Sequence, residues 1–256
     1  MQRLVLFDID CTLIDGHGAG GRAIMRAIKD IYGVEGELGS YSFHGRTDPG
    51  IMRDLADLWG AADPEAVVGR YEGETQPQVV HDLAAQLGTP EEAIDALVDD
   101  CVARYVEVLA DEVKAGHMEL LPGIKELVTA LAADRRAVLG LLTGNVEAGA
   151  RIKLAPTGIY PLFKVAAYGS DSAFRPELPA VAVRRAEELT GRRFAGKEIV
   201  VIGDTPADIE CGAGLGVKTI AVATGKHTLD ELAAHAPDYL FADFSDWRAA
   251  CEAILA

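Results

Sequence analysis

Apolar runs that alternate with helical segments constrain the fold of this chain more than any other feature. The runs at 3–7, 138–142 and 198–202 have the length and residue types of buried strands. From about residue 121 to 223, such strands alternate with segments of helical periodicity. A succession of this kind forms a parallel sheet with right-handed crossovers. We therefore predict an α/β fold with a Rossmann-like parallel sheet as its core.

A long helical segment interrupts this alternation. Between about residues 16 and 116 the chain has helix-favouring composition, and glycines mark the breaks between helices. At 256 residues the chain is also longer than one typical domain. We predict an α/β core formed by 1–15 and 117–256, with an inserted α-helical cap formed by 16–116. The predicted cap helices span 19–32, 48–59, 64–87 and 90–115.

Acidic residues follow the first strand directly. Asp8 and Asp10 are two residues apart, and Thr12 comes next but one. Open parallel sheets form their ligand sites at the carboxyl ends of the strands, so this pair indicates chemistry: one carboxylate can attack while its neighbour transfers protons. The alternative is an Asp-rich turn that caps the following helix.

The second strand ends in Thr143-Gly144-Asn145. Thr143 offers a hydroxyl, and Gly144 lets the backbone approach a ligand closely. We expect the next helix to start near Asn145, where its free N–H groups could hold an anion. An ordinary strand-to-helix turn with a polar N-cap would have the same composition.

The third strand is followed by Asp204 and Asp208, which are one helical turn apart. Two such carboxylates beside a strand end could bind a hard divalent cation, or they could simply cap the helix that Pro206 helps to start. Arg175 precedes another proline and would supply positive charge to the same site.

Together these segments resemble the motifs of the haloacid dehalogenase-like hydrolases, most closely the phosphoglycolate-phosphatase-like branch with a helical cap. Four motifs match in order over nearly the whole chain: Asp8-Ile-Asp10-Cys-Thr12, Thr143, Arg175, and Gly203-Asp204-Thr-Pro-Ala-Asp208.

Two residues depart from the usual motifs. Arg175 stands where Lys is commoner, and we expect its permanently charged guanidinium to serve as well. Cys11 stands where Gly is usual. We expect ordinary backbone angles there, and a structural replacement for Gly rather than a reactive thiol.

The resemblance implies a Mg²⁺-dependent phosphatase that hydrolyses a small, phosphoglycolate-like phosphate monoester. Asp8 would be the nucleophile that forms an aspartyl phosphate, and Asp10 the general acid and base. Mg²⁺ would be held by the Asp8 carboxylate, the Asp10 backbone carbonyl and Asp204, with Asp208 nearby. The phosphate would be held by Thr143, Gly144, Asn145 and Arg175.

A segment of the predicted cap carries polar residues that could select the substrate. It lies between two predicted helices and contains His44, Arg46 and Thr47. A cap loop that faces the active site would contact the leaving group. The competing interpretation is a polar helix start with Thr47 as the N-cap.

Other functions fit part of this pattern. A β-phosphoglucomutase-type phosphosugar mutase has the same four motifs, so it stays open. A dehalogenase is disfavoured by Asp10, because it needs no acid for a phosphate leaving group. A non-enzymatic, receiver-like phospho-accepting module also combines a strand-end Asp with Thr and a basic residue; Asp10 and the helical insertion disfavour it.

Composition limits the kinds of partner and the cellular compartment that we expect for this protein. The formal net charge of −16 argues against nucleic acid, whose phosphates require clustered Lys and Arg. We find no apolar run of about 18 residues and no signal peptide, which argues against a membrane span. The four scattered cysteines favour a reducing cytoplasm. A small phosphorylated metabolite is the expected partner, and the sequence does not indicate an oligomeric state.

Overall fold

The computed structural model describes residues 2–32, 91–172 and 175–256. Its centre is a six-stranded sheet in which all neighbouring strands are parallel. The strands are β1 Arg3–Phe7, β4 Ala137–Leu142, β5 Val165–Ala167, β6 Ile199–Gly203, β7 Lys218–Val222 and β8 Tyr239–Phe241. Their spatial order is β5-β4-β1-β6-β7-β8. The predicted α/β fold class is confirmed.

The central strand β1 determines where the polar residues meet. It lies between β4 and β6, and Phe7 at its end is paired in register with Leu141 and Ile202. All five residues of β1 are buried, as expected for a strand covered on both faces. Because the three strands end at the same edge, the residues that follow them lie side by side.

Helices cover both faces of the sheet. Val5 and Phe7 of β1 pack on one face, with α3 (Ile124–Ala133), α4 (Glu147–Leu154) and α8 (Trp247–Leu255). Leu4 and Leu6 pack on the other face, with α5 (Leu178–Thr190). This division follows from the alternation of side chains along a strand. The core helices are α3 Ile124–Ala133, α4 Glu147–Leu154, α5 Leu178–Thr190, α6 Pro206–Cys211, α7 Leu229–Ala234 and α8 Trp247–Leu255.

The predicted insertion begins and ends in helices. α1 (Ala19–Tyr32) packs against α2 (Glu91–Ala115), and Arg22 Nε donates to Glu112 Oε2 over 2.6 Å. The predicted helices 48–59 and 64–87 lie outside the described residues. The division into a core domain and a cap therefore stays a prediction.

A small second sheet was not predicted. β2 (Ile14–Asp15) pairs antiparallel with β3 (Glu119–Leu120). These strands adjoin Gly16 and Gly116, the predicted limits of the insertion. Two residues are too few to produce an alternating pattern, so the ladder depends on contacts between distant segments.

None of the helices in the described residues combines the length and the apolar composition that spanning a membrane requires.

Candidate active site

Three buried carboxylates meet at the carboxyl edge of the sheet. Asp8 follows β1, Asp204 follows β6, and Asp208 lies in the first turn of α6. One oxygen from each carboxylate lies within 4.8 Å of the others. The backbone N–H of Asp8 donates to Ile202 O over 2.9 Å, which extends the pairing of β1 and β6 to the cluster. Three residues predicted for the metal site thus lie together.

Asp204 is held by residues from two loops. Thr12 Oγ1 donates to Asp204 Oδ1 over 3.2 Å. On the other side lies Gly225, in the loop after β7: a Cβ at this position would be 1.9 Å from Asp204 Oδ2. Thr224 Oγ1, in the same loop, donates to the carbonyl of Cys11. This loop was not among the predicted site residues, because Thr224 and Gly225 carry no charged group that would mark them.

Asp208 caps the start of α6, which is one of the two roles that the sequence left open, and it also pairs with Arg175. Its Oδ2 accepts from Thr205 N over 3.1 Å, and Thr205 Oγ1 accepts from Asp208 N over 3.3 Å, which forms a capping box at the start of α6. Thr205 Oγ1 also donates to Asp208 Oδ2 over 2.6 Å. Asp208 Oδ1 accepts from Arg175 Nη2. Because both oxygens are occupied in this way, Asp208 is better suited to orient Arg175 than to be a main metal ligand.

Arg175 is the cation of the cluster. Its Nη2 lies 3.8 Å from Asp8 Oδ1, and the side chain is mostly buried. Burial alone would lower the pKa of Arg175, but the negative charges of Asp208 and Asp8 more than offset it and raise that pKa above its usual value. The guanidinium therefore stays charged beside the Asp8 carboxylate.

The cluster carries more negative charge than Arg175 can neutralise. Burial, together with the charge of Asp208, raises the pKa of Asp8 to about 7. Burial and the charges of Asp208 and Asp8 also raise the pKa of Asp204 well above its usual value. A small divalent cation with a preference for oxygen ligands would relieve this repulsion, so the donor set fits Mg²⁺.

Asp10 lies beside this cluster but has different partners. Its side chain is 44% exposed, whereas that of Lys153 is 4% exposed. Lys153 Nζ lies 2.8 Å from Asp10 Oδ1 and 2.6 Å from Oδ2. Asn145 Nδ2 donates to Asp10 Oδ2 over 2.8 Å. Partial burial would raise the pKa of Asp10, but the charge and hydrogen bond of Lys153 and the hydrogen bond of the Asn145 amide lower it overall.

The second predicted segment lies next to Asp10. Thr143 is buried at the end of β4, and its Oγ1 accepts from Asn145 Nδ2 over 2.8 Å. Helix α4 starts at Glu147 with Val146 as its N-cap, close to Asn145 as expected. The Asn145 backbone N–H donates to Thr143 Oγ1, in a turn that precedes the helix. The Asn145 side chain is thereby directed at Asp10.

Lys153 was missed by the sequence analysis. It lies in α4 on the same face as Ala150 and Leu154, which are both buried. A lysine on the apolar face of a short helix could have indicated a buried ion pair, because lysine is almost never fully buried unless it is paired. Its partner could not be inferred, since Asp10 lies 143 residues away in the chain.

The expectation of ordinary backbone angles at Cys11 was wrong. Cys11 has φ 57°, in the left-handed region that glycine adopts without steric penalty. This backbone conformation is the physical reason why glycine is usual at this position in the family motif that the segment resembles. Burial and the surrounding carboxylates raise the pKa of the Cys11 thiol far above its usual value. Since the thiolate is the reactive form, the raised pKa supports a structural role.

The predicted specificity residues His44, Arg46 and Thr47 lie outside the described residues. Their role stays a prediction.

The sequence also matches the family model of the haloacid dehalogenase-like hydrolases over residues 2–216. The chain therefore belongs to this hydrolase family, as its four motifs indicated.

Named relatives are similar along their whole length. "Probable phosphatase IndB" from Dickeya dadantii (strain 3937) is 26% identical over 262 residues, which cover 100% of this chain and 96% of that protein. A predicted phosphoglycolate phosphatase from Haemophilus somnus 129pt has a similar fold, with a TM-score of 0.61, 20% identity and 97% of each chain covered. The haloacid dehalogenase-like family protein SP0104 from Streptococcus pneumoniae has a TM-score of 0.61 and 19% identity, with 97% of this chain and 98% of that chain covered.

Proposed function

We propose that this protein is a Mg²⁺-dependent phosphatase that hydrolyses a small, phosphoglycolate-like phosphate monoester through an aspartyl phosphate on Asp8. The observation that carries the proposal is the Asp8, Asp204 and Asp208 cluster beside Arg175, with Asp10 two residues from Asp8. The phosphatase and phosphoglycolate phosphatase named among its relatives support the same reaction.

In the first step a carboxylate oxygen of Asp8 attacks the phosphorus of the ester. The bond between phosphorus and the leaving oxygen breaks, and that oxygen takes a proton from the Asp10 carboxyl group. The products are the free alcohol and a mixed anhydride of phosphate with Asp8. A covalent intermediate of this kind divides one difficult hydrolysis into two displacements.

In the second step a water oxygen attacks the same phosphorus. Asp10, now a carboxylate, accepts a proton from this water, and the bond between phosphorus and the Asp8 oxygen breaks. Inorganic phosphate leaves, Asp8 is again a carboxylate, and Asp10 is again protonated. One carboxyl group thus serves as acid and then as base.

The remaining residues stabilise charge. The Arg175 guanidinium lies close enough to Asp8 to contact the equatorial oxygens of a phosphoryl group bound there, and Thr143 with the adjoining Gly144 would line the opposite side. Asp8, the Asp10 carbonyl and Asp204 would hold Mg²⁺, with Asp208 nearby. The ion would neutralise phosphate charge and lower the repulsion between substrate and carboxylates.

The test uses p-nitrophenyl phosphate with Mg²⁺. We expect the wild type to release nitrophenol, EDTA to stop the reaction, and Asp8→Asn to abolish it. Asp134→Asn is the control, because Asp134 is paired with Arg136 at a distance from the site. Mass spectrometry of the acid-quenched enzyme should find one phosphoryl group on Asp8. Full activity of Asp8→Asn would contradict the proposal.

A screen of phosphorylated metabolites then identifies the substrate class. Stoichiometric release of inorganic phosphate is expected for a phosphatase. An isomerised sugar phosphate without phosphate release would instead indicate a mutase, and a single phosphorylation without turnover would indicate a receiver-like module.

A further inference from the structure

We propose that Lys153 is a positioning residue of this reaction, which holds the Asp10 carboxyl group, together with Asn145, in the place from which it exchanges protons. This inference rests on the proposed function, because it assigns a partner to the proposed acid and base.

The Lys153 ammonium is enclosed by oxygen acceptors. Nζ lies 2.8 Å from Asp10 Oδ1, 2.6 Å from Asp10 Oδ2 and 2.8 Å from Asn145 Oδ1. An ammonium group has three N–H donors, and these three oxygens match them in number. The Asn145 amide also donates to Asp10 Oδ2 over 2.8 Å, which closes a ring of hydrogen bonds among the three side chains.

The surroundings enclose the ammonium beside Asp10. A Cβ at Gly20, in the first turn of α1, would lie 3.0 Å from Lys153 Nζ. The backbone of α1 therefore lies directly over the ammonium, and the Lys153 side chain is 4% exposed. A group this buried acts on the reaction through Asp10.

Asp10 needs such support because its side chain is 44% exposed at the edge of the site. A free aspartate there would rotate among several conformations. Two hydrogen bonds from Lys153 and one from Asn145 select a single conformation. Proton transfer requires heavy atoms at hydrogen-bond distance, and a displacement of about 1 Å can lower the rate about 100-fold.

The main test compares two substrates in Lys153→Met. The value of kcat/KM includes steps up to the breaking of the ester bond but not the hydrolysis of the aspartyl phosphate. An alkyl leaving group needs a proton from Asp10, whereas nitrophenolate leaves without one. We expect Lys153→Met to lower kcat/KM about 10- to 100-fold for the most active alkyl phosphate of the screen, and less than about threefold for p-nitrophenyl phosphate.

A double-mutant cycle tests whether Lys153 acts through Asp10. In the Asp10→Asn background, adding Lys153→Met should change kcat/KM for the alkyl phosphate by less than about twofold. Additive losses would overturn the proposal, because Lys153 would then act on something other than Asp10. Lys153→Arg should recover part of the wild-type substrate ratio, since it retains the charge.

Lys218→Met is the matched control. Lys218 is also buried, and its Nζ donates to the backbone carbonyl of Ala253 over 2.9 Å, outside the site. Its substitution should lower the melting temperature and leave the ratio of the two kcat/KM values unchanged.

Gly20→Ala covers the case in which Lys153→Met does not fold. It adds a methyl group against the ammonium, and alanine favours the helix more than glycine does. We expect about a fivefold loss of kcat/KM for the alkyl phosphate only, by displacement of Lys153. An unchanged substrate ratio in whichever variant folds overturns the proposal. Wild type without phosphatase activity would instead refute the proposed function, so the two failures are distinguishable.

Discussion

The carboxylate of Asp208 occupies the space in which a side chain at Gly203 would lie. An ideal Cβ on Gly203 would be 2.2 Å from Asp208 Cγ and 2.4 Å from Asp208 Oδ2. Gly203 is the last residue of β6, and Asp208 lies in the first turn of the following helix. The absence of a side chain thus allows the turn to fold back and place Asp208 against Arg175.

Gly203→Ala should therefore damage the site more than the fold. We expect Asp208 to move outward together with the Arg175 guanidinium, and kcat/KM for p-nitrophenyl phosphate to fall about 100-fold. Gly214→Ala is the control, because a Cβ there meets nothing within 4 Å. Equal activities of the two variants would show that the close packing of Asp208 on Gly203 is dispensable.

Metal affinity should separate Asp204 from Asp10. Asp204 is expected to bind Mg²⁺ through its side chain, so Asp204→Asn should weaken binding about tenfold or more. Asp10 is expected to contribute only its backbone carbonyl, so Asp10→Asn should suppress turnover and retain most of the affinity. Isothermal titration of each variant with Mg²⁺ gives the two dissociation constants. A similar loss in both variants would contradict the role assigned to Asp10.

The stability of the metal-free protein should decrease as pH rises. Burial and the charge of Asp208 raise the pKa of Asp8 in the folded state to about 7, well above its usual value in an unfolded chain. Between these two values the folded state holds a proton that the unfolded chain has released, so the free energy of unfolding falls through this window. In EDTA, Asp8→Asn should raise the melting temperature at about pH 7.5 and have a smaller effect near pH 4. Adding Mg²⁺ should stabilise the wild type more than the variant.

Asp171→Asn is a control for which we expect the opposite change in melting temperature. Burial would raise the pKa of Asp171, but its hydrogen bonds with Arg185 and Tyr168 N lower it overall. Its contribution to stability is therefore present above its unfolded pKa and is lost as the pH falls through its folded pKa. Asp171→Asn should lower the melting temperature at about pH 7.5, where Asp8→Asn raises it. A destabilising effect of Asp8→Asn at that pH in EDTA would count against charge repulsion in the cluster.

Cys11→Gly should stabilise the fold. A non-glycine residue in the left-handed region is disfavoured by about 1–2 kcal/mol, and the greater freedom of glycine in the unfolded chain offsets about half of this. We expect a gain of about 0.5–1 kcal/mol in the free energy of unfolding, measured by urea denaturation. Cys11→Ala keeps the Cβ and should show no such gain. A glycine variant less stable than the alanine variant would show that packing of the thiol is the larger effect.

Much of the core could be predicted because its determinants are local. The apolar runs of β1, β4 and β6 are continuous because both faces of the sheet are covered, and the helices between them have their own periodicity. Once three strands are parallel neighbours, the residues that follow them must meet at one edge. Asp8, Thr143 and Asp204 could be assigned to one site on this basis, before any contact was known.

Other features depend on backbone geometry or on packing between distant segments. The positive φ of Cys11 was not predicted, because the motif carries a side chain where glycine is usual. Gly225 carries no chemical group that would mark it as part of the site, and only its packing against Asp204 shows its importance. The pairing of β2 with β3 joins segments about a hundred residues apart through two residues each.

The amino-acid sequence by itself determined the α/β core, the family of hydrolases and the carboxylates at the edge of the sheet, because periodicity and strand ends are properties of short segments. Only the tertiary structure decided which groups these carboxylates contact. Lys153 reaches Asp10 because its ammonium lies between the start of α1 and the residues that follow β1. Such a contact depends on how elements pack across long sequence separations, and no local pattern in the chain contains that information.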